Sequence, residues 1–362
     1  MSDKAIPKKT GAGNFFEDFQ LGQVIDHATP RTVTEGDVAL YCALYGSRFA
    51  VQSADSFAMD IGYEGAPIDD LLVFHVVFGK SVPDISLNAV ANLGYANGRM
   101  IAPVYPGDTL SSRSEVIGLK ETSNGKTGIV YVHTVGENQK GELVTDFVRW
   151  VLVNKKDPAN PAPNLPEGQA VVPDLADCVS AEHLAAPTDL DMKEYNLTMA
   201  GSPHVWEDYV VGEKIDHVDG FTVEEAEHAL ATRLYQNTAR VHFNQHSEKD
   251  GRFGRRIVYG GHVISICRSI TFNGLGNAYK IAAINAGRHV APIFAGNTVY
   301  AWSEVIDKME LPGHPGVGAL RLRTVGLKDQ NAQGFPYKDD AGKYDPAVVL
   351  DFDYTVLMPR RV

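Results

Sequence analysis

Hydrophobic positions fall into three kinds of segment, and each kind occurs twice. DDLLVFHVVFGKSV (69–82) and GGHVISICRSITF (260–272) are apolar nearly all round, the pattern of a helix buried on every side. TEGDVALYCALYG (34–46) and TVEEAEHALATRLYQ (222–236) predict helices capped by threonine, each preceded by a short strand, GQVIDH or GEKIDH. SSRSEVIGLKE, GIVYVHTVG and LVTDFVRWVLV alternate or run in β-branched residues and predict consecutive antiparallel strands. One buried helix followed by such strands defines an α+β unit in which a sheet curls round a helix.

The order repeats because the sequence repeats. Shifted by 190 residues, Phe16–Gln52 lies over Trp206–His242 without a gap and with 14 identities in 37 positions. GRMIAPVYPGDTLSSRSEVIGLKE from Gly98 lies over GRHVAPIFAGNTVYAWSEVIDKME from Gly287, and VTDFVRWVLVNK from Val144 over VLDFDYTVLMPR from Val349. Three collinear blocks in one order mean an internal duplication. The expected division is a first copy at 1–153, a linker at 154–203 and a second copy at 204–362. The prolines of NKKDPANPAPNLPEGQAVVP make an extended linker, and Gln330–Ala347 reads as a surface hairpin inserted in the second copy.

Composition narrows the functional classes. Lys plus Arg is 33 against 45 Asp plus Glu, a net charge of −12, which argues against a nucleic-acid or anionic-membrane partner. No apolar run approaches the ~18 residues of a membrane span, and the N-terminal segment lacks the apolar core of a secretory signal. Cys42, Cys178 and Cys267 are far apart and without CxxC spacing, so neither a disulfide framework nor a zinc site is expected. The expectation is a cytoplasmic protein.

The two copies differ where chemistry is plausible. Tyr235-Gln236-Asn237-Thr238-Ala239-Arg240-Val241-His242 stands over Tyr45-Gly46-Ser47-Arg48-Phe49-Ala50-Val51-Gln52, and Tyr259-Gly260-Gly261-His262 over Asp69-Asp70-Leu71-Leu72. An imidazole and a diglycine kept in one copy only point to one working site. His27 and His217 occur in both copies and read as scaffold groups; Asp69 and Asp70 read as a helix cap and first-turn charge.

These residues, with Pro106-Gly107-Asp108-Thr109 and its weaker echo Ala295-Gly296-Asn297-Thr298, resemble the MaoC-like (R)-hydratase family across both halves. The resemblance implies a tandem, double hot-dog fold. It implies a lyase that adds water reversibly to an α,β-unsaturated acyl-CoA, without metal or redox cofactor. YQNTARVHFN and FEDFQLGQVIDH are most similar to members acting on mesaconyl-CoA, which yields β-methylmalyl-CoA. The family's aspartate falls here on Asn237, which orients water but takes no proton at neutral pH. His242 is then the acid/base, and backbone N–H groups at Gly261 form the oxyanion hole, with Gly260 and His262 beside it. A substrate carboxylate calls for an arginine: Arg240 and Arg288 are the first candidates, Arg233 and Arg268 the others. A general (R)-enoyl-CoA hydratase and a hot-dog thioesterase are the competing enzymes, an acyl-binding protein the non-enzyme. A homodimer is compatible with the fold.

Overall fold

The structure, a computed structural model, describes residues 9–160, 162, 165, 169–187 and 189–361. The first copy comprises β1 (Val24–Thr32), α1 (Glu35–Tyr45), α2 (Asp70–Ser81), β2 (Ala89–Met100), β3 (Thr109–Glu121), β4 (Thr127–Glu137) and β5 (Leu143–Asn154). The second comprises β6 (Lys214–Asp216), β7 (Phe221–Thr222), α3 (Glu225–Leu234), α4 (Gly260–Ile270), β8 (Lys280–His289), β9 (Thr298–Glu310), β10 (Val317–Lys328) and β11 (Val348–Pro359). Short helical turns lie between them.

All eleven strands form one antiparallel sheet, ordered β1-β3-β4-β5-β2-β8-β11-β10-β9-β6, with β7 also on β9. The order is a palindrome in the two copies, and β2 meets β8 at its centre. There Tyr95 pairs with Gly287 and Gly98 with Ile284. Shifted by 189 residues, Tyr95 falls on Ile284 and Gly98 on Gly287, so the register maps onto itself with the strands exchanged. The copies are therefore related by a local two-fold axis, and each sheet removes the other's open edge. The expected strands are all present; β2 and β8, which join the copies, were not among them because Gly94, Gly98, Asn92 and Asn97 break the apolar pattern of β2.

The central helices α2 and α4 are buried as their composition requires: Leu71–Ser81 and Gly261–Arg268 are inside without a break. They pack beside the partner copy's α1 or α3. The Tyr45 and Tyr235 hydroxyls, 190 residues apart, meet at 2.6 Å. Ser269 donates to the Tyr45 carbonyl, and Gly79, its equivalent, lies against the Tyr235 carbonyl so closely that a Cβ would land on the oxygen. Glycine is required there by contact.

Helix α1 begins as expected, with Thr34 accepting from the Asp37 N–H and the Asp37 carboxylate accepting from the Thr34 N–H at 2.8 Å, a capping box. Its counterpart differs: α3 is capped at Glu224 without a side-chain bond, and the expected cap Thr222 lies in β7. Residues 161, 163–164 and 166–168 of the Pro-rich stretch lie outside the described residues. The rest crosses between the copies. Val171 bridges to Leu119, Val179 donates to Asn285 Oδ1 at 3.0 Å, and Leu184, Met192 and Tyr195 share a buried cluster with Phe57 and Tyr63 of one copy and Tyr279 and Leu357 of the other. The insertion 330–347 does carry a hairpin bridge, Lys338 to Tyr344. It is more than a surface loop, because Phe335 and Tyr337 pack on buried Trp302 and the Tyr337 and Tyr344 hydroxyls donate to Asp351, each at 2.7 Å. No helix among the described residues is long and apolar enough to cross a membrane.

Candidate active site

The site grows from the segment between α3 and α4. Beyond Leu234 the chain turns through Gln236, at φ 52°, a conformation few side chains adopt. Asn237 follows, buried at 4% exposure. Its Oδ1 accepts the Ala239 N–H at 3.0 Å, an Asx turn that launches a helical turn over Arg240–His242. His242 Nδ1 lies 3.1 Å from the Ile257 carbonyl. A carbonyl only accepts, so Nδ1 carries the proton and Nε2 keeps its lone pair. Burial pulls the His242 pKa down to about 4, against the pull of Ile257, and the ring stands edge-on to Tyr259 at 5.4 Å between centroids.

Tyr259 leads into α4. It caps the helix without a side-chain hydrogen bond, and the N–H groups of Gly260 and Gly261 meet no acceptor among the described residues. The first copy is closed at the same place. The Asp69 carboxylate accepts the Leu71 N–H at 2.9 Å, while Asp70 takes Lys280 at 3.2 Å and the Ile281 N–H at 2.9 Å. In the first copy the Leu71 N–H, the equivalent of Gly261's, is thus taken by the Asp69 carboxylate; in the second, Gly260 and Gly261 are left as bare donors at the positive end of the dipole.

The diglycine has a steric cause as well. A Cβ at Gly260 would land on the His289 imidazole, and one at Gly261 on the rings of Tyr259 and His75. His289 bonds the Tyr95 hydroxyl at 3.2 Å through Nε2. Burial and the neighbouring His242 hold its pKa down at about 4. His242, Tyr259, Gly260, Gly261, His289 and Tyr95 therefore gather around one helix end, with Asn237 at the entry to the loop.

The remaining candidates are placed elsewhere. His262 points between the copies, its Nδ1 2.8 Å from the Tyr45 hydroxyl and its buried Nε2 without a partner. Arg240 and Arg233 are exposed. Arg288 is exposed on β8, one residue from His289 and so on the opposite face of the strand, with its guanidinium carbon 6.0 Å from the Tyr344 ring. Arg268 is buried over Phe49 at 3.6 Å and donates to the Ala278 carbonyl. None of these four arginines joins the group at the helix end. The scaffold pair is as expected: His27 bonds Asp84 and Ser114, and His217 the Asn273 carbonyl and Ser303. His289 was missed, although its signal was present: it too occurs in one copy only, over Met100.

The fold and this one-sided site define a double hot-dog protein of the MaoC-like hydratase type. The family model described as mesaconyl-CoA hydratase matches residues 3–338. The chain is 66% identical to the beta-methylmalyl-CoA dehydratase of Chloroflexus aurantiacus, over 98% of this chain and 99% of that one. It is 58% identical to the mesaconyl-CoA hydratase of Cereibacter sphaeroides, over 97% and 100%. A solved structure from Chloroflexus aurantiacus, titled a MaoC domain protein dehydratase, superposes with a TM-score of 0.95 at 65% identity, covering 98% and 100%. Rv0216 of Mycobacterium tuberculosis, described as having a double hotdog fold, shares the fold at 24% identity and a TM-score of 0.76, over 96% and 99%. The chain belongs to the mesaconyl-CoA hydratase family.

Proposed function

We propose that this protein is a hydro-lyase that reversibly hydrates mesaconyl-CoA to β-methylmalyl-CoA, using its second copy. Residues 204–362 hold the chemistry, 1–153 form the supporting copy and 154–203 tie the two together. The observation that carries this reading is the asymmetry of the two helix ends: the free N–H groups of Gly260 and Gly261 against the self-capped end at Asp69.

Water is held between Asn237 and His242 Nε2. As its oxygen bonds to the double-bond carbon farther from the thioester, Nε2 takes its proton. The electron pair moves to the thioester oxygen, where the Gly260 and Gly261 N–H groups and the helix dipole hold the charge. The enolate collapses, the carbon next to the thioester takes the proton back from Nε2, and the imidazole is neutral again. The names and identities of the relatives support the substrate. A thioesterase reading would need a carboxylate free to activate water. Asp69 and Asp70 are committed to their own helix, Lys280 and Ile281, and α4 carries neither Asp nor Glu. The proposal extends to a homodimer in the cytoplasm, in keeping with the acidic composition and three unpaired cysteines; sedimentation velocity and cell fractionation check those two points.

The decisive assay follows the absorbance of the conjugated thioester when purified protein meets mesaconyl-CoA. Absorbance should fall with no free thiol released, and His242→Ala should abolish the change while leaving the melting temperature in place. Thiol release would make the protein a thioesterase, and a fully active His242→Ala would remove the site.

A further inference from the structure

Arg149 of the first copy is a fully buried cation that the scheme above leaves unused. It lies on β5 at 0% exposure, its guanidinium carbon 4.2 Å over the Phe78 ring. Nη2 donates to Ser81 Oγ at 2.7 Å and Nη1 to Ser86 Oγ at 3.3 Å, while Nε–H meets no acceptor. Both partners are neutral hydroxyls, and no carboxylate pairs with it among the described residues. A buried charge without a counter-ion is costly. Burial lowers the Arg149 pKa to about 10, partly offset by the Tyr95 and Tyr259 hydroxyls, so it stays charged at neutral pH.

Those two tyrosines place Arg149 behind the second copy's helix end. Phe78, the ring beneath the guanidinium, lies 5.9 Å from Tyr259 and 6.2 Å from Tyr95. Tyr259 touches His242, and Tyr95 bonds His289.

The duplication supplies an internal comparison. Shifted by 190 residues, Phe78 falls on Arg268 and Asp69 on Tyr259; Arg149 falls on Tyr354 in the block that begins at Val349. In the first copy's disused site the cation is Arg268, whose charge acts on the buried Asp69 carboxyl. In the second copy's site a cation is again present, now supplied by the strand. The position of its carboxylate holds Tyr259, which is neutral: the protein supplies the cation and leaves the anion out.

We propose that Arg149 receives the free carboxylate at the far end of the acyl group, which supplies the negative charge that Asp69 supplies to Arg268 in the other copy. This rests on the mesaconyl-CoA reading above. With the thioester oxygen at Gly260 and Gly261, the acyl chain runs past Tyr259 into the molecule, and its carboxylate takes up the unused Nε–H edge. Selection of an acid-tipped thioester over a plain enoyl thioester is then made by the first copy for a reaction carried out on the second.

The test compares wild type with Arg149→Met and Arg149→Lys on mesaconyl-CoA and on crotonyl-CoA, which ends in a methyl group. Arg149→Met should lose on the order of a hundredfold or more in kcat/KM on mesaconyl-CoA, with no fall on crotonyl-CoA and a melting temperature at or above that of wild type; Arg149→Lys should recover part of the loss. Equal losses on both substrates, or none on mesaconyl-CoA, overturn the proposal. If Arg149→Met does not fold, calorimetry on wild type and Arg149→Lys with two unreactive saturated ligands decides. Wild type should prefer methylsuccinyl-CoA to butyryl-CoA and the variant should lose that preference; an unchanged preference overturns the proposal. A wild type that hydrates crotonyl-CoA but not mesaconyl-CoA would remove the functional reading itself and this inference with it.

Discussion

At the scale of single residues, the chemistry turns on one fixed tautomer. The Ile257 carbonyl holds the proton on His242 Nδ1 and burial keeps the ring neutral, with a pKa of about 4. The base form is therefore fully populated well below the ordinary histidine pKa of about 6.5. The acid limb of kcat/KM should fall below roughly pH 5; a limb centred near the ordinary value would mean that the essential base is not this buried imidazole. Asn237 divides its work, with Oδ1 bonded to the Ala239 N–H and the amide nitrogen left for water. Asn237→Ala removes both functions and should lower kcat by about two orders of magnitude. Asn237→Asp keeps the acceptor for Ala239 and should retain far more activity than the alanine variant. If the two variants are equally damaged, the amide nitrogen that both lack carries the role, and the acceptor for the Ala239 N–H carries none of it.

At the scale of elements, the working part is the first turn of α4. Its two glycines let His289, Tyr259 and His75 lie against the backbone while two N–H groups stay free. Gly260→Ala must displace the His289 ring. Both stability and kcat should fall, stability by about 1–3 kcal/mol as for other overpacked sites; an unchanged thermal melt would show that the imidazole does not pack there. Much of this element was legible in the sequence, because both central helices are apolar all round and the diglycine stands over Asp70-Leu71 in the first copy. Other features left no local trace. The strand that joins the copies, β2, is interrupted by glycines that serve a partner strand distant in sequence. The arginine expected for a substrate carboxylate was sought beside the second copy's motifs, at Arg240 and Arg288, and both are exposed. Arg149 was passed over because it reads as part of an ordinary strand in the other copy, and only the two-fold packing brings it behind Tyr259.

At the scale of the whole molecule, the fold buries imidazoles, His75 and His262 along the seam between the copies and His217 within the second copy, and this sets how the protein responds to acid. His75, His217 and His262 are each 0% exposed, with pKa values lowered by burial to about 3, 4 and 3. In the unfolded chain the same groups titrate near 6.5. Above that pH both states hold neutral rings and the histidines contribute no pH dependence. As the pH falls through 6.5 the unfolded chain takes up protons that the folded one refuses, so stability declines, by on the order of 1 kcal/mol per pH unit for each group. The decline continues until the folded pKa values near 3 to 4 are reached. Asp69 opposes it: burial and Asp70 raise its carboxyl to about 6, so between about pH 6 and the usual aspartate value the folded state holds one proton more than the unfolded chain. His242 and His289, also held near 4, act in the same direction; five groups against one leave a net loss, and the melting temperature should drop steadily from pH 7 to pH 5. Asp69→Asn removes the opposing group and should steepen that drop, whereas His75→Gln should shallow it. A melting temperature that is flat or rises over this range would mean that the buried histidines are already charged in the folded protein, and the neutral, tyrosine-bonded seam described here would be wrong.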